Sequence, residues 1–225
     1  NLTGIKRFFN APVSMDSRGL TQFAYDLSNE RQMRDFGYMS GKWSLSNGKI
    51  VQEEDFGLSY GLHHPAFFSG RCEVEFTYTN EKPNSLLVYL CGVWVCLNAH
   101  NSTADALTEL PPDKTYKAFY GNEIEFGMVP GESYRMRFVV RDGKVTVYAD
   151  DKMVFDKKVT TRASSVEIRD LGYAQISDLA IRGKVTEQWL AMIAELNKKI
   201  EDGELVQGLT RVTYGTPNFS RRLGD

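Results

Sequence analysis

Apolar and polar residues along this chain alternate in short segments of period two, separated by Gly, Asn, Asp and Pro. Successive side chains of a strand point to opposite faces, so the pattern predicts many half-buried β-strands joined by tight turns. Residues 72–78 are the clearest case: Cys72, Val74, Phe76 and Tyr78 fall on a core face, and Glu73, Glu75 and Thr77 on the other. Glu81-Lys82-Pro83-Asn84 then breaks the strand. Residues 134–140 alternate apolar with basic, turn at Asp142-Gly143 and return over 145–149; Asp150-Asp151-Lys152 turns again into 153–155. Residues 42–53 read as a hairpin about Asn47-Gly48, a pair that tolerates the positive φ a tight turn needs.

Residues 85–91 and 93–98 are continuous apolar runs joined at Gly92, the pattern of central strands covered on both faces. Residues 166–168 and 176–182 supply the last strands, and the polar stretch 100–120, with Pro111-Pro112, reads as a long loop. At Thr186 the period changes. Trp189, Ile193, Leu196 and Ile200 recur at spacings of four, three and four, one apolar stripe of a helix. Thr186 suits the N-cap, Glu195 and Lys199 form an i,i+4 pair, and Gly203 suits the stop. The stripe either packs on the sandwich or docks a neighbouring domain or subunit through residues 186–202. The fold class that follows is all-β: a two-sheet antiparallel jelly-roll sandwich over 1–183, with a C-terminal amphipathic helix and tail over 184–225, packed on the sandwich or linking it to another domain.

Composition narrows the function. The chain has 225 residues, enough to bury a core without disulfides or metals. Lys and Arg number 27 against 29 Asp and Glu, so there is no basic footprint for nucleic acid or for an anionic membrane. The longest apolar run, 86–97, is too short to span a bilayer and is broken by Gly92, so no membrane insertion is expected. The first residue is Asn1 rather than Met, and no signal peptide is visible; a processed protein or an excised piece is the expectation. Three cysteines, Cys72, Cys91 and Cys96, cannot pair completely and read as buried small hydrophobes, with a Cys91–Cys96 bridge as the lesser alternative. Asn1, Asn101 and Asn218 open glycosylation sequons that matter only in a eukaryotic secretory pathway.

The order of the segments from about residue 36 to residue 183 resembles the 3-keto-disaccharide hydrolase-like domain of the concanavalin A-like lectin/glucanase group. The resemblance rests on Gly41-Lys42-Trp43, Asn47-Gly48-Lys49-Ile50, Phe67-Phe68-Ser69-Gly70, Asn84-Ser85, residues 93–98, residues 132–137 with Asp142-Gly143-Lys144-Val145, and the closing strand 176–182. It implies a carbohydrate-associated jelly roll, extracellular or periplasmic, in which 93–98 lines the concave face. The polar residues the family carries on that face are replaced here, with Leu86 after Asn84-Ser85 and with Cys96 and Asn98 on the next strand.

Several side chains could carry chemistry. Glu73 and Glu75 share a strand face at a spacing of roughly 6.5–7 Å, inside the range of about 5–9.5 Å that separates glycosidase carboxylates. Laminarinase-like glucanases of this fold extend such a pair to three acids; here Thr77 and Arg71 stand at the flanking alternate positions. His63 could act beside them as an acid or base. His64, and His100 beyond the next apolar strands, are sugar-contacting candidates. Trp94 could stack on a sugar face and Asn98 bond its hydroxyls, while Arg135 and Arg137 could meet a carboxylated or sulfated glycan. There is no HExxH or CxxC spacing, phosphate loop or nucleophile elbow, and no metal or cofactor is expected. Three functions remain open: a glycan-binding or accessory domain with an oligo- or polysaccharide partner; a glycoside hydrolase or polysaccharide lyase using Glu73, Glu75 and a histidine; and a structural or interaction module acting through the helix.

Overall fold

A computed structural model describes residues 2–39, 42–53, 61–82, 85–98, 102–108, 122–170 and 172–203. In chain order the elements are α1 (Leu2–Lys6), β1 (Val13–Met15), β2 (Thr21–Tyr25), a 3-10 turn (Glu30–Asp35), β3 (Tyr38–Met39), β4 (Trp43–Ser46), β5 (Lys49–Gln52), β6 (Gly61–Asn80), β7 (Ser85–Leu90), β8 (Val93–Asn98), β9 (Thr103–Leu107), β10 (Asn122–Glu123), β11 (Ser133–Arg141), β12 (Lys144–Ala149), β13 (Lys152–Lys158), β14 (Ser164–Asp170), β15 (Ala174–Val185) and α2 (Glu187–Glu201).

All pairings are antiparallel, and β6 belongs to two sheets. Its second half sits in a first sheet ordered β1-β2-β15-β6-β11-β12-β13, with the β4–β5 hairpin beside the start of β15. Its first half sits in a second sheet ordered β3-β6-β14-β7-β8-β9-β10. The switch is made at a bulge: Val166 pairs with His64 and Ser164 with Phe68, so three β6 residues, Pro65 to Phe67, oppose the single Ser165. Proline lacks the ladder donor and is tolerated at such a point. His63-His64-Pro65 is strand, because the bulge absorbs the proline.

The sheets enclose one apolar core. Cys72, Val74, Phe76 and Tyr78 of β6 are fully buried, facing inward with Leu86, Val88, Val93, Val95 and Ile168. Among the described residues four hairpins are closed by two-residue turns with positive φ at both positions: Asn47-Gly48, Cys91-Gly92, Asp142-Gly143 and Asp150-Asp151. All three cysteines are buried. Cys91 belongs to the core between the sheets, whereas Cys96 lies with Leu87 and Trp94 on the opposite face of the second sheet. A Cys91–Cys96 bridge is therefore excluded by direction.

Part of the stretch expected as a loop over 100–120 is strand β9; residues 109–121 lie outside the described residues. Thr186 caps α2 by accepting from the Trp189 N–H at 3.2 Å, and Lys199 pairs with Glu195 at 2.9 Å. Trp189 and Ile193 are buried, with the Trp189 ring 6.2 Å from Phe9, and α1 runs alongside: Asn197 Nδ2 donates to the Gly4 carbonyl at 3.3 Å, and Arg7 pairs with Glu201 at 2.6 Å.

Gly183 marks how closely β15 crosses the bend of β6. A Cβ there would lie 2.6 Å from the Arg71 carbonyl oxygen and 2.7 Å from the Phe68 ring. Gly183→Ala is expected to lower stability by about 2–3 kcal/mol, because backbone has to move to admit the methyl. Urea unfolding measures it; a midpoint unchanged from wild type would show that β15 and β6 leave room for a methyl group at this crossing.

Candidate functional site

The two glutamates expected to be catalytic lie on the outward face of the first sheet, and each is answered by an arginine. Arg135 Nε donates to Glu75 Oε1 at 2.5 Å, and Arg137 Nη1 stands 3.8 Å from Glu73 Oε1. In register, Glu75 is opposite Arg137 and Glu73 opposite Val139 on β11, so the ion pairs form a cross-strand ladder. The Arg137 guanidinium also lies 4.2 Å above the Tyr148 ring. The face is self-compensated, and His63 and His64 are not on it. The expected convergence of Glu73 and Glu75 with His63 or His64 does not occur, and His100 lies outside the described residues.

His64 points into the core. Its ring lies 4.6 Å from Phe23, 5.4 Å from Phe9 and 6.0 Å from Tyr25, so it cannot contact a ligand. Nδ1 accepts from the Ala66 N–H at 3.3 Å, while Nε2 is buried without a hydrogen-bond partner and has Phe23 edge-on to its ring. Burial, with a smaller contribution from neighbouring His63, brings the imidazole pKa down to about 3.

The outward face of the second sheet is where candidates meet. Strand pairing sets His63 (β6), Glu167 (β14), Tyr89 (β7), Trp94 (β8) and Leu107 (β9) in one row across five strands. The adjacent row is Gly61, Arg169, Leu87, Cys96 and Asp105. Arg169 links the rows: Nε donates to Glu167 Oε1 at 2.5 Å, and the guanidinium lies 4.5 Å from the Trp94 ring centroid. The pair is nearly enclosed, with side chains 15% and 6% exposed. Gly61 makes room for it, since a Cβ there would lie 2.3 Å from Glu167 Oε1.

The Tyr89 and Trp94 rings meet at 4.8 Å, tilted by 31°, with Trp94 retaining 9% exposure. His63 Nε2 is 2.7 Å from Ser165 Oγ, and burial lowers its pKa against the opposing pull of Glu167, so the ring is neutral at pH 7. At the far side, Lys157 of β13 donates to Asp105 Oδ1 at 2.6 Å. The chemistry is an apolar aromatic pair edged by fixed hydrogen-bonding groups whose charges cancel, suited to a neutral polar ligand.

Of the expected residues, His63 and Trp94 share this face; Glu73, Glu75, Arg135 and Arg137 do not. Asn98 is placed in the next row, opposite Ser85 and Thr103, and His100 lies outside the described residues. Glu167, Arg169, Tyr89 and Asp105 were not singled out in the sequence. The available signal was Glu167 and Arg169 alternating with Val166 and Ile168. Among the described residues no group of three or more His, Cys, Asp or Glu side chains is arranged to hold a metal, and no helix is long and apolar enough to cross a membrane.

Solved structures give the architecture a context. The Emp46p carbohydrate recognition domain superposes in a mutant and a metal-free form with TM-scores of 0.52 and 0.51, each at 10% identity over 72% of this chain and 95% of that one. A Bacillus subtilis protein of unknown function described as having a galectin-like fold gives 0.51 at 11% identity, over 78% of this chain and 99% of that one. The fold is a galectin-like, concanavalin A-type β-sandwich. No protein-family model matches the chain, and no curated protein matches it in sequence.

The placement of His64 makes acid stability a direct measurement. Its folded pKa of about 3 lies below the unfolded value near 6.5, so the unfolded chain binds the proton first. The stability this group contributes is complete above about pH 6.5 and is lost as pH falls toward 3, at about 1.4 kcal/mol per unit. Between pH 7 and 5, wild type is expected to lose about 2 kcal/mol more than His64→Leu, read from urea unfolding at each pH. Equal losses in both proteins would place the imidazole outside the core.

Proposed function

We propose that this chain is a carbohydrate-binding β-sandwich whose sugar contacts fall on the outward face of its second sheet. The supporting observation is the row His63, Glu167, Tyr89 and Trp94, with Arg169 joining the carboxylate to the indole ring. Tyr and Trp offer the flat apolar surface of a sugar platform, and the enclosed Glu167–Arg169 pair offers oriented acceptors and donors for hydroxyls. The Emp46p domain, a carbohydrate recognition domain by its description, shares the architecture and favours the same reading.

Binding alone is favoured over cleavage by the isolation of Glu167 from other acids. On this face the other described carboxylates are Asp105 on β9, three strands from Glu167 in the sheet order, and Glu123 on β10, opposite Thr103 and four strands from it. Three interstrand steps are about 14 Å, beyond the roughly 5–9.5 Å that a glycosidase pair spans. The finer resemblance, to the 3-keto-disaccharide hydrolase-like domain, is consistent with a chain that keeps that sandwich without its hydrolytic polar set. An extracellular or periplasmic setting, where polysaccharides are met, goes with this reading. Any contact of α2 with a neighbouring domain would use the half-buried Leu196 and Ile200, since Trp189 and Ile193 are already enclosed.

A glycan array run beside an activity screen on the same polysaccharides tests the proposal. Wild type is expected to retain neutral oligosaccharides without cleaving them. Glu167→Gln should weaken retention about tenfold, worth about 1.4 kcal/mol, while lowering Tm through the uncompensated Arg169 but leaving the chain folded at the assay temperature by circular dichroism, and Glu73→Gln should leave retention unchanged. Loss with Glu73→Gln and none with Glu167→Gln would move the site to the other sheet. Silence across the array would remove the proposal.

A further inference from the structure

The ladder of Glu73 and Glu75 with Arg137 and Arg135 compensates the middle of the first sheet's outward face and stops one row short of its end. In that last row the register lines up basic residues. Arg71 of β6 is opposite Arg141 of β11, Arg141 is opposite Lys144 of β12, and Lys144 is opposite Lys158 of β13. Lys184 of β15 sits where the register against β6 shifts, between Gly183, opposite Cys72, and Val185, opposite Phe68, and extends the row by one strand. Cys72, Val140, Val145 and Val185, the neighbours of these residues along their strands, are buried in the core, and directly opposite residues share a face, so the cations point outward.

Like charges directly opposite each other on a sheet repel, and the row is only partly relieved from within. Arg141 Nε donates to Asp142 Oδ2 at 3.0 Å in an exposed turn, and Lys144 pairs with Asp156. Arg71, Lys158 and Lys184 form no ion pair with a described residue. The nearest carboxylate on β6, Glu73, is opposite Arg182 and 3.8 Å from Arg137. Arg71 is half-buried and the other four are exposed. The fold gains nothing from aligning charges of one sign, so the alignment points to an anion outside the chain.

We propose that this row binds a linear sulfated polysaccharide lying across the strands. Neighbouring strands are about 4.8 Å apart, so the four steps from Lys184 to Lys158 span about 19 Å. The ligand that fits carries its anionic groups densely along one line, and sulfate oxygens accept from the forked donors of Arg71 and Arg141. The site is separate from the neutral face of the second sheet and does not rest on it. Single-stranded nucleic acid has a similar charge density but is held by stacking its bases on aromatic rings. The row has none, and Tyr148, two rows away, is already covered by the Arg137 guanidinium. No apolar side chain stands in the row to enter an anionic membrane. An acidic peptide extended along a strand would meet mixed columns, as where Arg71 is followed by Glu73 and Glu75 on the same face.

Titration calorimetry of the full chain with a heparin oligosaccharide of defined length tests the proposal. Wild type is expected to bind at low salt, with affinity falling as salt rises. Arg71→Gln/Lys158→Gln/Lys184→Gln should stay folded by circular dichroism and bind about tenfold more weakly, with a shallower salt dependence. Lys158→Gln/Lys184→Gln, which leaves half-buried Arg71 in place, should lose about fivefold and keeps the test independent of any packing by that side chain. Lys6→Gln/Arg31→Gln/Arg34→Gln removes the same charge from exposed positions on other elements and should change affinity less than about twofold. No binding by wild type, equal losses in the two triple variants, or binding of single-stranded DNA, polyglutamate or phosphatidylserine vesicles as tight as that of heparin would each overturn the proposal.

Discussion

The architecture depends on one strand hydrogen-bonded into both sheets. β6 runs twenty residues and pairs with β14 before its bulge and with β15 and β11 after it. Even-numbered residues on both sides of the bulge, Leu62, His64, Phe68, Cys72, Val74, Phe76 and Tyr78, face the core. Odd-numbered ones face out, but because the strand passes from one layer to the other, they face out on opposite sides of the sandwich. His63 and Glu73 share parity in the sequence and lie on different surfaces of the molecule.

That crossing explains what the sequence disclosed and what it hid. Local chemistry was legible: Asn47-Gly48 and Asp142-Gly143 announced their turns, the alternation from Cys72 to Tyr78 its buried face, and Thr186 its helix start. Parity was legible too, but it could not report the bend, so Glu73, Glu75 and His63 looked like a single constellation. α1, β1 and β2 are short and were not visible as elements, and β9 is a five-residue strand with alanine at two positions, a residue of weak β preference. Glu167 and Arg169 gain their meaning only from register with Tyr89 and Leu87 on one side and His63 and Gly61 on the other. Such register is non-local and leaves no mark in the segment itself.

The two outward faces use similar residue types to different ends. On the first sheet, Arg135 is well exposed and its pair with Glu75 is a solvated contact of small energetic weight. On the second, Glu167 and Arg169 are nearly enclosed, where desolvation offsets most of the attraction between them. Stability alone does not account for charges placed there, since an apolar pair of similar volume would serve the fold as well. What the pair adds is direction. Gly61 leaves space beneath it, Trp94 supports the guanidinium from one side, and the carboxylate and guanidinium are held in a fixed orientation beside Tyr89. A neutral ligand rich in hydroxyls can use oriented acceptors and donors without bringing a compensating charge, which is why the proposed sugar contacts are put on this face.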